Sequence, residues 1–229
     1  MQQAIVLGAD IGGSHITTAL VNRHTSAIVP GSRHRGPVNA HDGAAAILRC
    51  WSGVMRKSMQ HAGEVRQLGI AMPGPFDYDK GISLIRGFHK YESLYGLNIK
   101  TLLASQLGIS PAQITMANDA RCFLQGELVN GAVKGEPHVL GFTLGTGFGS
   151  AIAENGMAKD AAYFDTPFLD SRAEEYFSTR WFVKRYAALH GGRPAANVKA
   201  IAAEVKENPA AARVFHEFGT HFAQFLAAI

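Results

Sequence analysis

Cysteine is scarce in this sequence. Its 229 residues hold two, Cys50 and Cys122. They lie far apart and outside any CxxC pair, so neither a disulfide framework nor a structural zinc cluster is expected. Both fall in helix-like patterns, as core or half-buried thiols. Long hydrophobic runs are lacking too. The first apolar run follows Met1-Gln2-Gln3 and ends at Asp10, too short for a signal peptide or a membrane span, and the expected location is cytoplasmic. Charge of one sign is also sparse. The formal net charge is +4 and the basic residues are scattered, which argues against nucleic acid as a partner. The ten histidines show no HxxxH pair with a third ligand, and His15, His89 and His138 read as strand or loop residues. No low-complexity linker divides the chain. Hydrophobic residues make up 47% and charged residues 17%, a globular balance in a chain long enough for one large or two small domains.

What is present is a repeated arrangement of strands and glycine turns. Ala4 to Asp10 reads as a strand, Ile11-Gly12-Gly13-Ser14 as a turn and His15 to Val21 as a second strand. That is a hairpin rather than a strand-to-helix unit. Residues 40–62 read as a helix, with Ala44, Ile47, Leu48, Trp51, Val54, Met55 and Met59 at three- and four-residue spacing. Gln67 to Met72 reads as a strand that stops at Pro73-Gly74-Pro75. A short helix over 98–107, a strand over 113–117 and a helix from Asn118-Asp119 to about Asn130 follow. The hairpin then returns, with strands over His138 to Leu144 and Ser150 to Glu154 around the turn Gly145-Thr146-Gly147-Phe148-Gly149. Beyond Ser171 the chain reads as mostly helical, with breaks at Pro194 and Pro209. The pattern occurs twice, which suggests a weak duplication over residues 1–117 and 118–229 and two α/β lobes facing a cleft.

The chemistry gathers at three places. Backbone N–H groups of the turn after Asp10 can converge on phosphate oxygens, since glycine has no Cβ to block approach. Asp10 can hold Mg²⁺ directly or through water. The same turn also serves as an ordinary hairpin loop. The second turn looks like a dinucleotide fingerprint, but such a loop opens a helix. Here an alternating strand follows, so a second phosphate-cradling hairpin is expected instead. Asn118-Asp119 is read either as a helix N-cap or as a general base beside a hydrogen-bonding amide, and the two are compatible.

Taken in order, these segments resemble the ROK family of sugar kinases and related repressors. Asp10-Ile11-Gly12-Gly13-Ser14, with Thr17 and Ala19-Leu20, is similar to the family's first phosphate loop. Ala71-Met72-Pro73-Gly74-Pro75 is similar to its Pro-Gly turn, and Asn118-Asp119-Ala120 with Glu127 to its catalytic segment. Leu144-Gly145-Thr146-Gly147-Phe148-Gly149 is similar to its second phosphate loop. The resemblance covers about residues 4–155. It implies an α/β, two-lobed, actin-like (ribonuclease H-like) ATPase fold. It implies ATP-dependent phosphorylation of a hexose or N-acetylhexosamine, with ATP and Mg²⁺ as cofactors and glucose as the default substrate. By the resemblance Asp119 is the base, Asn118 holds the sugar, and Asp10, Gly12, Gly13, Ser14, Gly145, Thr146 and Gly147 serve the phosphates and Mg²⁺. A homodimer is in keeping with the family.

The sequence then departs from the family. The stretch 160–168 lacks the Glu and His of the Gly-Glu-x-Gly-His segment, and no zinc cysteines follow, so the zinc is expected to be absent. Asp165 falls near the family histidine and is a candidate sugar partner. Glu174 of Glu174-Glu175-Tyr176 is either a second sugar ligand or the last residue of a capping box, Ser171-Arg172-Ala173-Glu174. The chain stops inside an apolar helix-like run where family members continue, so either a truncated form or a differently built nucleotide site is expected. A repressor of the family would need a helix-turn-helix before the first strand, and with three residues there direct DNA binding is not expected. The alternative to the kinase is a catalytically weak sugar-binding or regulatory protein of the same fold.

Overall fold

The first hairpin sets the architecture. β1 (Ile5–Ile11) and β2 (His15–Asn22) pair antiparallel from Ile5↔Asn22 to Ile11↔Ile16. The structure, a computed structural model, describes residues 5–62, 65–88 and 90–229, so the readings of Ala4 and His89 lie outside the described residues. Strand alternation gives each strand two faces. Leu7, Ala9, Ile11, Ile16, Thr18 and Leu20 are buried on one. Gly8, Asp10, Thr17 and Ala19 occupy the other.

β3 (Ala27–Ile28) and β4 (His34–Pro37) both pair with β2. α1 (Ala44–Met59) leads to β5 (Leu68–Met72), which pairs parallel with β1. A two-stranded ribbon, β6 (Phe76–Asp77) and β7 (Ile82–Ser83), precedes α2 (Ile99–Leu107). β8 (Ile114–Asn118) then pairs parallel with β5, giving the order β3-β2-β1-β5-β8.

α1 covers the buried face through Ile47, Leu48, Trp51, Val54 and Met55. Burial of each such side chain stabilises the fold by roughly 1.5–3 kcal/mol. β4 can lie under α1 because Gly36 is glycine. A Cβ there would stand 2.7 Å from Val54 Cγ2. The Thr18 and Ser58 hydroxyls satisfy one another inside, at 2.6 Å. α1 starts later than the periodicity alone predicts. The Asn39 side chain accepts from the His41 amide at 3.1 Å and donates to Asp42 at 2.7 Å, holding 39–42 as a turn.

The chain divides into two compact units, Met1–Phe123 (unit 1) and Leu124–Ile229 (unit 2); α3 (Asp119–Asn130) contains the boundary. In unit 2, β9 (His138–Leu144) and β10 (Phe148–Glu154) form the second hairpin, and β11 (Met157–Asp160) adds to β10. The strand therefore begins two residues earlier than expected, and the turn is 145–147. β12 (Pro167–Phe168) and β13 (Ser171–Arg172) make a short ribbon. Four helices follow, α4 (Ala173–Tyr176), α5 (Thr179–Leu189), α6 (Val198–Ala203) and α7 (Pro209–Ala228). Pro209 marks a break between helices as expected, opening α7 with Asn208 accepting from the Ala210 amide at 3.0 Å.

Unit 2 is built around phenylalanine. Phe148, Phe168, Phe177 and Phe225 form a buried cluster. Beside it, Trp181 packs edge-on to Phe182 at 5.4 Å. Arg185 of α5 grips Glu217 of α7 with two hydrogen bonds, at 2.5 and 2.8 Å. Among the described residues no helix is long and apolar enough to cross a membrane.

Candidate active site

The three parallel strands of unit 1 end together. Asp10 of β1 is in register with Ala71 of β5, and Ala71 with Ala117 of β8. One step further on, Met72 is paired with Asn118, and Asp119 opens α3. Neighbouring strands lie about 4.8 Å apart, so Asp10 and Asn118 rise about 10 Å apart with small alanines between them. The same row runs the other way through Thr17 to Arg35. The carboxyl ends of parallel strands are where open α/β sheets bind ligands.

Each acid in this row is electrostatically perturbed. Asp119 is half-buried, and burial raises its carboxyl above the usual range. The Ala120 amide and the Lys90 charge oppose that rise, while the Asp10 charge adds to it. Asp10 is open to solvent at its surface, yet the protein crowded around it also raises its carboxyl, and Arg35 lowers it. A carboxylate moved toward neutral pH accepts a proton more readily than an ordinary one.

Asn118 and Asp119 divide the work of the helix start. Asn118 Oδ1 accepts from the Arg121 amide at 3.0 Å, so Asn118 caps α3. Asp119 Oδ1 accepts from the Ala120 amide at 2.9 Å. The Asn118 amide nitrogen lies 3.5 Å from the Tyr78 hydroxyl, which itself donates to the Met72 carbonyl.

Loop 1, Gly12–Ser14, closes with the Gly12 amide donating to the His15 carbonyl at 2.9 Å. Folding does not require glycine at Gly12. Its φ is not left-handed, and a Cβ would meet only the His15 carbonyl oxygen, at 3.6 Å. Gly145 of loop 2, Gly145–Gly147, is likewise outside the left-handed region, and a Cβ there would meet nothing within 4 Å. Loop 2 thus keeps open space at Gly145, of the kind a phosphate group needs beside backbone amides, while Gly12 of loop 1 is in van der Waals reach of the His15 carbonyl. The exposed Asp10 carboxylate suits Mg²⁺, which takes one or two carboxylates and completes its shell with water and phosphate. Among the described residues no group of three or more His, Cys, Asp or Glu could hold a metal by itself.

Unit 2 holds loop 2, Asp165 and Glu174. The Gly145 carbonyl accepts from the Thr179 amide at 2.8 Å, and the Phe148 amide donates to Glu174 at 3.2 Å. Glu174 is buried, and its other oxygen lies 3.7 Å from Arg180. Its carboxylate is therefore engaged in bracing loop 2. The capping box does not form. Ser171 lies in β13, and α4 begins at Ala173 with Arg172 at the cap position and no side-chain cap. Asp165 is exposed and pairs with Arg172 at 3.4 Å.

A cleft of about 550 Å³ runs along the face of the unit 1 sheet, lined by Gly8, Asp10, Ala19, Gly69, Ala71 and Cys122 among others. Its lining takes in Asp10, Ala71 and Ala117 of the strand-end row, but not Asn118 or Asp119. Sequence reasoning missed Arg35, Lys90, Tyr78 and Tyr91.

A hairpin-led sheet with three parallel strands ending on Asp10 and Asn118-Asp119 defines an actin-like ATPase fold. The crystal structure of a ROK family glucokinase from Streptomyces griseus, in complex with glucose and AMPPNP, matches 98% of this chain and 80% of its own, with a TM-score of 0.76 and 21% identity. The ROK family profile matches residues 6–160, and the chain belongs to the ROK family. Its sequence is 26% identical over 156 residues to a glucokinase from Thermotoga maritima, covering 68% of this chain and 46% of that one. It is 28% identical over 149 residues to an N-acetyl-D-glucosamine kinase from Vibrio atlanticus, covering 65% and 46%. The chain spans about half the length of these curated relatives.

Proposed function

We propose that the chain carries the catalytic residues of a cytoplasmic sugar kinase, one that moves the γ-phosphoryl group of ATP to a hydroxyl of a hexose or N-acetylhexosamine. The observation that supports this most is the row from Asp10 to Asn118-Asp119 at the strand ends, with burial raising both carboxyls. Asp119 accepts the proton of the attacking hydroxyl, and Asn118 hydrogen-bonds the sugar while capping α3. The amides of loops 1 and 2 bind phosphate oxygens, and Asp10 holds Mg²⁺. Bound with ATP, Mg²⁺ supplies charge neutralisation at the phosphate oxygens. Glucose and N-acetylglucosamine are the first sugars to try, since the relatives named above are kinases for them.

The test is ADP release with MgATP over a panel of hexoses and N-acetylhexosamines, for the wild type and Asp119→Asn. Loss of a positioned general base lowers turnover by roughly 10²–10⁴-fold, and sugar-dependent release should fall by that amount in the variant. A second reading, a sugar-binding or regulatory protein with little catalysis, draws on the altered 160–168 stretch, where Asp165 is already paired with Arg172. Sugar binding by calorimetry without sugar-dependent ADP release would leave this reading and a truncated kinase, and the same assay on a form extended at the C-terminus separates them: release there restores the kinase, none sinks it.

A further inference from the structure

Tyr91 is a conspicuous residue in unit 1. Its side chain is fully buried, with the ring edge-on to Trp51 at 5.4 Å. Its backbone sits at φ 55, in the left-handed region. A bulky residue rarely occupies that region, and does so only where its surroundings over-determine it. The surroundings here are specific. The Tyr91 amide donates to the Ala40 carbonyl at 2.8 Å, and the hydroxyl donates to the Gly12 carbonyl at 2.6 Å. Burial pushes the phenol far above its usual range, so it remains an O–H donor throughout the physiological range. The Trp51 indole N–H influences that phenol but makes no hydrogen bond of good geometry.

The consequence lies in the peptide plane. The Gly12 carbonyl and the Gly13 N–H belong to one planar trans unit, so they point in opposite directions. A turn with two adjacent glycines has little stiffness of its own. Drawing the Gly12 oxygen inward onto a buried hydroxyl directs the Gly13 N–H the opposite way, away from Tyr91.

We propose that Tyr91 is a positioning residue: its hydroxyl locks the Gly12–Gly13 peptide so that the Gly13 amide is presented to a nucleotide phosphate. This rests on the phosphate-binding reading of loop 1. The neighbouring Lys90 places its charge near Asp119, so one dipeptide serves both the loop and the acid.

Tyr91→Phe keeps the ring on Trp51 and removes only the O–H. Hydrogen exchange over residues 11–15 should quicken while the rest of β1 stays protected. MgATP affinity by calorimetry, and KM for MgATP, should weaken roughly five- to tenfold, the scale of one hydrogen bond, with the sugar KM unchanged. Trp51→Phe, which disturbs packing but keeps the hydroxyl, should lower the melting temperature and leave MgATP affinity within about twofold. Unchanged exchange in loop 1 overturns the proposal, as does faster exchange with unaltered MgATP affinity. A wild type that binds MgATP but phosphorylates no sugar defeats the kinase reading alone and leaves this comparison intact. A wild type that binds no MgATP defeats both.

Discussion

The two units hold their glycine loops by different means. Loop 1 is fixed by a neutral contact, the Tyr91 hydroxyl on the Gly12 carbonyl. Loop 2 is fixed by a buried carboxylate, Glu174 on the Phe148 amide, together with the Thr179 amide on Gly145. A contrast of the same kind runs through the polar contacts of each unit. The buried polar contacts of unit 1 are uncharged, such as Thr18 with Ser58 and Ser32 with the Leu20 amide. Unit 2 is tied by ions, with Arg185 and Arg213 on Glu217 and the Tyr186 hydroxyl on Glu204. At the strand ends of unit 1, Asp10 and Asp119 are held above their usual range. Burial therefore opposes the charge of Asp10 and Asp119 in unit 1, whereas the two arginines favour that of Glu217 in unit 2.

The difference can be broken most severely at Glu174. Glu174→Ala leaves the Phe148 amide without its acceptor beside the aromatic cluster, and a buried orphan of this kind costs about 1–3 kcal/mol. Denaturant melts of the variant should show that loss, whereas Glu174→Gln, which keeps an acceptor oxygen, should recover part of it. Glu217 comes next. Its two arginines hold its carboxyl down from the ordinary 4.5 to about 2. A depressed acid contributes stability that is complete above its unfolded value and is lost as pH falls through the folded one. Glu217→Gln should cost about 1 kcal/mol at neutral pH, since its arginines are partly exposed, and the gap from wild type should narrow from about pH 4.5 down to about 2.

The smallest effect has the opposite sign. Asp119 carries a raised carboxyl, so its ionised form is penalised in the fold, and that penalty disappears as pH falls through the folded value. Asp119→Asn should melt slightly above wild type at neutral pH, with the two converging in acid. Equal melting temperatures at pH 7 would mean that burial does not act on this acid as described.

Much of this was legible in the sequence where the signal was local. Both hairpins announced themselves through alternation around glycine turns, and α1 through its apolar stripe. Asn118-Asp119 was visible as a helix start. What escaped was set by pairing rather than by propensity. β4 reads His-Arg-Gly-Pro, with no strand character, and it exists because it registers on β2. Arg35 meets Asp10 only through that register, across Thr17. Tyr91 reaches back 79 residues to Gly12, a distance at which no spacing rule operates. The capping box failed for a similar reason, since the ribbon pairing of Pro167 with Arg172 carries Ser171 into a strand.

The two tryptophans fall one to each unit, Trp51 against Tyr91 and Trp181 against Phe182. Each unit thus contains its own intrinsic fluorophore. Trp51→Phe and Trp181→Phe leave emission from a single unit, so an acid titration can be followed in either half by colour alone. Trp181 emission should shift red as Glu217 is neutralised, while Trp51, enclosed by uncharged contacts, should keep its blue emission over the same range.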